Sequence, residues 1–117
     1  MRLLRISGAV RNIPAMPILF SYGTLQHRDV QITTFGRELN SWTDSLQGYV
    51  PQTVGPHANI VFTGQRTDRI SGTALEVTDE DLAAADRYES PFNYRRTTVT
   101  LASGHEADVY VYAPDLI

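Results

Sequence analysis

Residues 69–91 read RISGTALEVTDEDLAAADRYESP, and they hold a strand, a helix start and a helix stop in one run. Ile70, Gly72 and Ala74 alternate against Ser71, Thr73 and Leu75 up to Val77, the two-residue period of a strand. Thr78 then offers a capping hydroxyl, Asp81 stands three residues on, and Asp79, Glu80 and Asp81 place negative charge at the positive end of a helix dipole. Leu82, Ala85 and Tyr88 form the buried stripe of a helix of two to three turns. Pro91 stops it, because the residue before a proline is pushed out of helical geometry. Downstream, Tyr94–Leu101 and Ala107–Tyr112 read as two strands joined by a Gly-containing loop, a hairpin.

Upstream, Ile18–Tyr22 is apolar nearly throughout, as expected of a short strand covered on both faces. Gly23-Thr24-Leu25 breaks the pattern. Val30, Ile32, Thr33, Phe35 and Leu39 recur at roughly helical spacing, predicting a helix within 28–39 that Gly36 weakens by about 1 kcal/mol relative to Ala. From Ser41 to Ile70 the chain is rich in Gly, Pro, Asn and Thr, with short apolar runs at Leu46–Val54 and Ile60–Phe62, and reads as irregular strands with long loops. Residues 1–15 differ in character from the rest. They are expected to be a loosely ordered extension ahead of one domain spanning 16–117, or else an extra edge strand from Leu3 to Val10. The element order gives an α+β domain, expected as a small mixed β-barrel flanked by short helices.

Composition narrows the chemistry. The 117 residues carry ten basic and thirteen acidic side chains, a formal charge of −3, which argues against a grip on nucleic-acid phosphates. Every basic residue is Arg, so no lysine Schiff base is available. With no cysteine there is no thiolate nucleophile, disulfide or Cys-ligated metal. No apolar run approaches a membrane span, and the N-terminus makes a poor secretory signal. A soluble, cytoplasmic protein with no membrane or nucleic-acid partner is expected.

Two places could hold chemistry. Tyr22-Gly23-Thr24-Leu25 lies at the end of a buried strand, where a Gly lets consecutive N–H groups face one concavity suited to a carboxylate or phosphate; an ordinary strand-to-helix turn has the same look. Glu89 lies between helix and proline, ringed by Tyr88, Phe92 and Tyr94. Desolvation there would raise its pKa into the range useful for proton transfer, whereas on the surface it would simply pair with Arg87, Arg95 or Arg96. His27, His57 and His105 fall in three separate predicted loops without metal-ligand spacing, and read as solvated; no metal site is expected. Ser21, Ser71 and Ser90 lack a nucleophile elbow. Tyr110 and Tyr112 share one strand face, open to core or pocket packing.

The order of these pieces resembles the gamma-glutamylcyclotransferase-like superfamily, in its small avirulence-induced-gene-like branch. The carriers are a strand ending in Tyr22-Gly23-Thr24-Leu25, the run Ser71–Thr78, the acidic-capped helix, Asp86-x-Tyr88-Glu89, Tyr94-x-Arg96-x-x-Val99 and a last strand with Tyr-x-Tyr. They cover the chain from about Pro17 to Ala113. Family members more often have leucine before the aspartate, where this chain has Ala85, a difference of packing rather than chemistry. The resemblance implies a mixed β-barrel with a cavity at the Tyr22–Leu25 loop, whose amides hold a γ-glutamyl head, with Tyr22 and Tyr110 lining the pocket. It implies that Glu89 is the general acid/base in an intramolecular attack of the substrate's α-amine on its γ-carbonyl, releasing 5-oxoproline and an amine or amino acid. The substrate supplies its own nucleophile, so no cofactor is expected. A non-catalytic carboxylate-binding module on the same fold is the alternative. A buried Glu89 facing the loop with a raised pKa favours the enzyme, and an exposed one paired to Arg87 or Arg95 favours the module.

Overall fold

The computed structural model of the chain describes residues 16–114, so the expected N-terminal extension and its edge-strand alternative lie outside the described residues. The chain order is β1 (Ile18–Ser21), a 3-10 turn (Thr24–Gln26), α1 (Arg28–Phe35), β2 (Ser41–Gln47), β3 (Tyr49–Val54), β4 (His57–Phe62) and β5 (Arg69–Glu76). It continues with α2 (Asp79–Glu89), a second 3-10 turn (Ser90–Phe92), β6 (Tyr94–Thr100) and β7 (Glu106–Tyr112). A mixed five-stranded sheet runs β2-β5-β1-β7-β6, with only β1 and β7 parallel. β3 and β4 form a separate two-stranded sheet.

β1 is central and loaded on both faces, as its unbroken apolar run implies. Phe20 packs with Leu46, Ile60, Ile70 and Val109 on one side, while Leu19 packs with Leu25, Leu75, Leu82 and Ala85 beneath the helices on the other. Gly72 of β5 makes the first of these layers possible. A Cβ built there would fall 2.6 Å from the Phe20 ring and closer still to the Ser21 carbonyl. Only glycine lets β5 lie this tightly against the end of β1.

α2 begins as its sequence dictates. Thr78 Oγ1 accepts from Asp81 N at 3.0 Å, and Asp81 Oδ2 accepts from Thr78 N at 2.9 Å, a complete capping box. Arg37 then clamps Asp81 through two bonds of 2.9 and 2.7 Å, tying the segment after α1 to the start of α2. That guanidinium holds the buried Asp81 carboxyl below its ordinary range.

The helix expected within 28–39 is α1, which ends at Phe35 because Gly36 adopts φ +81° and closes it as a left-handed cap. Two expectations are corrected. The stretch 41–70 is not irregular. It contains three strands, and the positive φ at Gly48 and Gly55 turns what looked like loop composition into tight connections between them. Finally, the mixed sheet does not close into a barrel, since β2 and β6 are its two edges. It curls far enough for Ala102 N in the β6–β7 loop to donate to Ser45 O of β2 at 2.8 Å. Asp44 takes the place of a further rung by accepting from Ser103 N. Among the described residues, no helix is long and apolar enough to cross a membrane.

Candidate active site

The end of β1, the end of α2, β7 and the β3–β4 turn converge on one cavity of about 260 Å³. Tyr22, Gly23, Thr24, Leu25, Glu89 and Tyr110, the candidates read from sequence, all line it. Residues 22 and 110 are 88 positions apart in the chain, yet Tyr22 Oη donates to Tyr110 O at 2.6 Å. The parallel pairing of β1 with β7 sets this register, placing Phe20 opposite Val109.

The Tyr22–Leu25 turn differs from expectation in one respect. Gly23 has φ −126°, outside the left-handed region, and serves as the N-cap of the 3-10 turn. Its own N–H donates to Ser21 Oγ at 3.3 Å, and without a side chain it gives no cap to the N–H groups that follow, which as at any helix start have no intrahelical acceptor. A Cβ at Gly23 would meet no protein atom within 4 Å, so internal packing does not require glycine there. The turn is held from beneath by Gln31, whose buried Nε2 donates to Leu25 O at 3.0 Å and whose Oε1 accepts from Leu39 N at 2.9 Å. Thr24 Oγ1 and Tyr88 Oη lie 2.9 Å apart, joining the turn to α2.

Glu89 is half-buried in the last turn of α2. Burial pushes its carboxyl up to about 7. Among the described residues its carboxylate has neither a hydrogen-bond donor nor an ion-pair partner. The Arg87 or Arg95 pairing expected of a surface carboxylate is not what holds it. Its negative charge is felt at three phenols, Tyr22, Tyr94 and Tyr110, and helps to raise each of them; for all three, burial is the larger cause.

His57 overturns the reading of a solvated loop histidine. It opens β4, lines the cavity, and stacks on Tyr112 with ring centroids 4.3 Å apart and planes 12° from parallel. Tyr94 Oη donates to Ala58 O at 2.6 Å and Asn59 Oδ1 accepts from Tyr112 N at 2.9 Å, fastening the β3–β4 hairpin over β7. Pro56, His57 and Ala58 therefore wall a cavity whose other sides come from residues at least 30 positions away. Spacing gave no sign of this, although Gly55-Pro56 is a turn signal. His105 instead packs against Trp42 at 5.0 Å, and His27 is exposed. Among the described residues no group of His, Asp or Glu could hold a metal ion.

A family model described as gamma-glutamyl cyclotransferase, AIG2-like, matches residues 19–116. No curated protein matches the sequence. The fold is shared with the solution structure of At3g28950.1 from Arabidopsis thaliana at 23% identity and TM-score 0.73, over 88% of this chain and 66% of that one. A second Arabidopsis thaliana solution structure, At5g39720.1, agrees at 22% identity and TM-score 0.70, over 89% and 76% of the two chains. A solved gamma-glutamyl cyclotransferase agrees at 15% identity and TM-score 0.61, over 82% and 66%. The chain thus spans just under two thirds of the length of the first and third of these proteins.

Proposed function

This chain belongs to the gamma-glutamyl cyclotransferase, AIG2-like family, and from that premise we propose that it cleaves a γ-glutamyl amide by cyclisation, with Glu89 as general acid/base. One observation carries the reading. Among the described residues Glu89 is the one carboxylate lining the cavity and has no counter-charge; its pKa is raised to about 7, and it shares the cavity with the 3-10 turn at Thr24, whose start has no side-chain cap. A carboxyl titrating near neutrality exchanges protons in both directions at working pH, which is what a single group must do to act first as base and then as acid.

The chemistry balances without a co-reactant. The substrate's α-ammonium loses a proton to Glu89, and the freed amine attacks the γ-carbonyl carbon to form the lactam C–N bond. The amide C–N bond then breaks, and the leaving nitrogen takes up two protons in place of the two the ammonium gave up. The products are 5-oxoproline and a free amine. Curling the γ-glutamyl chain inside the cavity supplies proximity, and the turn's N–H groups are suited to the developing oxyanion.

Among the described residues the lining contains no Arg, and the chain has no Lys. A leaving group bearing its own carboxylate finds no fixed cation there and is repelled by Glu89. γ-Glutamyl amines are therefore the expected substrates, ahead of γ-glutamyl amino acids and glutathione. Incubation with these three classes, read by mass spectrometry for 5-oxoproline, tests the proposal. Product from the amine class supports it, and silence across the panel with folded protein returns the cavity to a carboxylate-binding role.

A further inference from the structure

A phenol has one hydrogen to donate, and besides Tyr88, whose Oη lies against Thr24, three phenols line the cavity with Glu89. Tyr22 gives its hydrogen to Tyr110 O at 2.6 Å, Tyr94 to Ala58 O at 2.6 Å, and Tyr110 to Asp86 Oδ1 at 2.7 Å. None is given to Glu89. Towards the cavity these three phenols can offer only lone pairs, and beside the ionised Glu89 they make a corner of acceptors.

Tyr110 differs from the other two, because its acceptor is a side chain and not a backbone carbonyl. Asp86 stands three residues before Glu89 on α2, on the same face of the helix. Arg96 of β6 grips both of its oxygens, Nε to Oδ1 at 2.7 Å and Nη2 to Oδ2 at 3.0 Å, and also reaches Asp108 of β7 at 2.8 Å. The guanidinium holds the Asp86 carboxyl below its ordinary range, so Asp86 accepts and never donates. α2, β6 and β7 are thereby locked around the direction of one O–H bond.

We propose that Asp86 and Arg96 are positioning residues that keep the Tyr110 hydrogen turned away from the cavity, so that Tyr110 presents an acceptor to a primary ammonium group of the ligand. Were the hydrogen free to turn inward, it would oppose the N–H groups of that ammonium. Identifying the ammonium as the α-amine of a γ-glutamyl group rests on the function proposed above.

The test needs no turnover. L-Glutamine and its deaminated counterpart, 5-amino-5-oxopentanoate, differ only in the α-amine, and their binding to the full chain is followed by NMR titration. The wild type is expected to prefer L-glutamine by about tenfold or more, the worth of one charge-assisted hydrogen bond. Asp86→Asn and Tyr110→Phe should each reduce that preference by about tenfold while leaving the deaminated ligand unaffected. The double variant should lose no more than either single one, because Asp86 acts through Tyr110. Arg96→Lys, which keeps charge but not the fork, should move in the same direction by less, and decides the question if Asp86→Asn fails to fold. A merely structural role predicts that both ligands weaken together, or that the Asp86→Asn loss persists in the Tyr110→Phe background; either result overturns the proposal. Equal binding of the two ligands by the wild type overturns it too, leaving the γ-glutamyl reading intact. Binding of neither ligand overturns that reading and this inference with it.

Discussion

At the residue scale, Glu89 carries an energetic cost that can be measured apart from catalysis. Its carboxyl titrates at about 7 in the folded chain against 4.5 as a free side chain, so the folded state holds the proton more tightly. The fold is therefore penalised above that pH, and the penalty fades as pH falls towards the unfolded value. The full shift would be worth about 3 kcal/mol, and solvent reaching the half-buried group reduces this to about 1–2 kcal/mol. Glu89→Gln should accordingly raise stability by that amount at pH 8 and by almost nothing at pH 4; equal effects in the two urea titrations would refute the buried-charge account. Gln31 is the opposite case, a buried amide with every bond used. Gln31→Leu strands the Leu39 N–H and the Leu25 carbonyl, at a cost of about 1–3 kcal/mol, and should raise KM as the turn loosens. Tyr22, Gly23, Thr24, Leu25, Glu89 and Tyr110 were legible because their order along the chain resembles a known pattern. The bonding of Asp86 to Arg96 and Tyr110, and the place of His57 in the cavity wall, were not. They depend on strand register and on how a distant hairpin folds, neither of which spacing encodes.

At the element scale, what could be read was local. α2 was visible because Thr78, Asp81 and Pro91 write its start and stop into the sequence itself, and each functions there as its chemistry requires. The β3–β4 hairpin was hidden because its turn residues imitate loop composition, and because Ile60 alone of its residues is fully buried while Phe62 stands 68% exposed, too little to set a period. Besides Ile60 in the core, polar bonds to β6 and β7 fasten the hairpin, Tyr94 Oη donating to Ala58 O and Tyr112 N donating to Asn59 Oδ1. Tyr94→Phe removes one such bond, worth about 1 kcal/mol, so backbone amides of 57–60 should exchange with deuterium about fivefold faster while those of α2 keep their rates. Unchanged exchange in 57–60 would mean that the aromatic stacking of His57 holds the hairpin by itself.

At the scale of the whole molecule, the mixed sheet and its flanking helices follow from the pattern of strands, while closure did not. Whether a curled sheet seals depends on edge pairing, and here the last step is made by loop atoms of Ala102 and Ser103 reaching β2. The sheet's tightest contact is at Gly72, where β5 lies against β1 just below the cavity. Gly72→Ala must displace either the fully buried Phe20 ring or the Ser21 carbonyl, both of which line the cavity. A loss of about 1–3 kcal/mol in thermal unfolding is expected, together with weakened ligand binding; a variant that melts like the wild type would show that β1 has room to move. The proposed function turns on Glu89, which shares its cavity with the Tyr22–Leu25 turn. The most direct test is the pH dependence of 5-oxoproline release from a γ-glutamyl amine, for the wild type and for Glu89→Gln. The wild-type kcat/KM should rise with pH through a midpoint near 7, and Glu89→Gln should lose about 10²–10⁴-fold of the rate together with that limb. A Glu89→Gln variant that keeps the wild-type rate and profile would contradict the assignment of Glu89 as the proton shuttle.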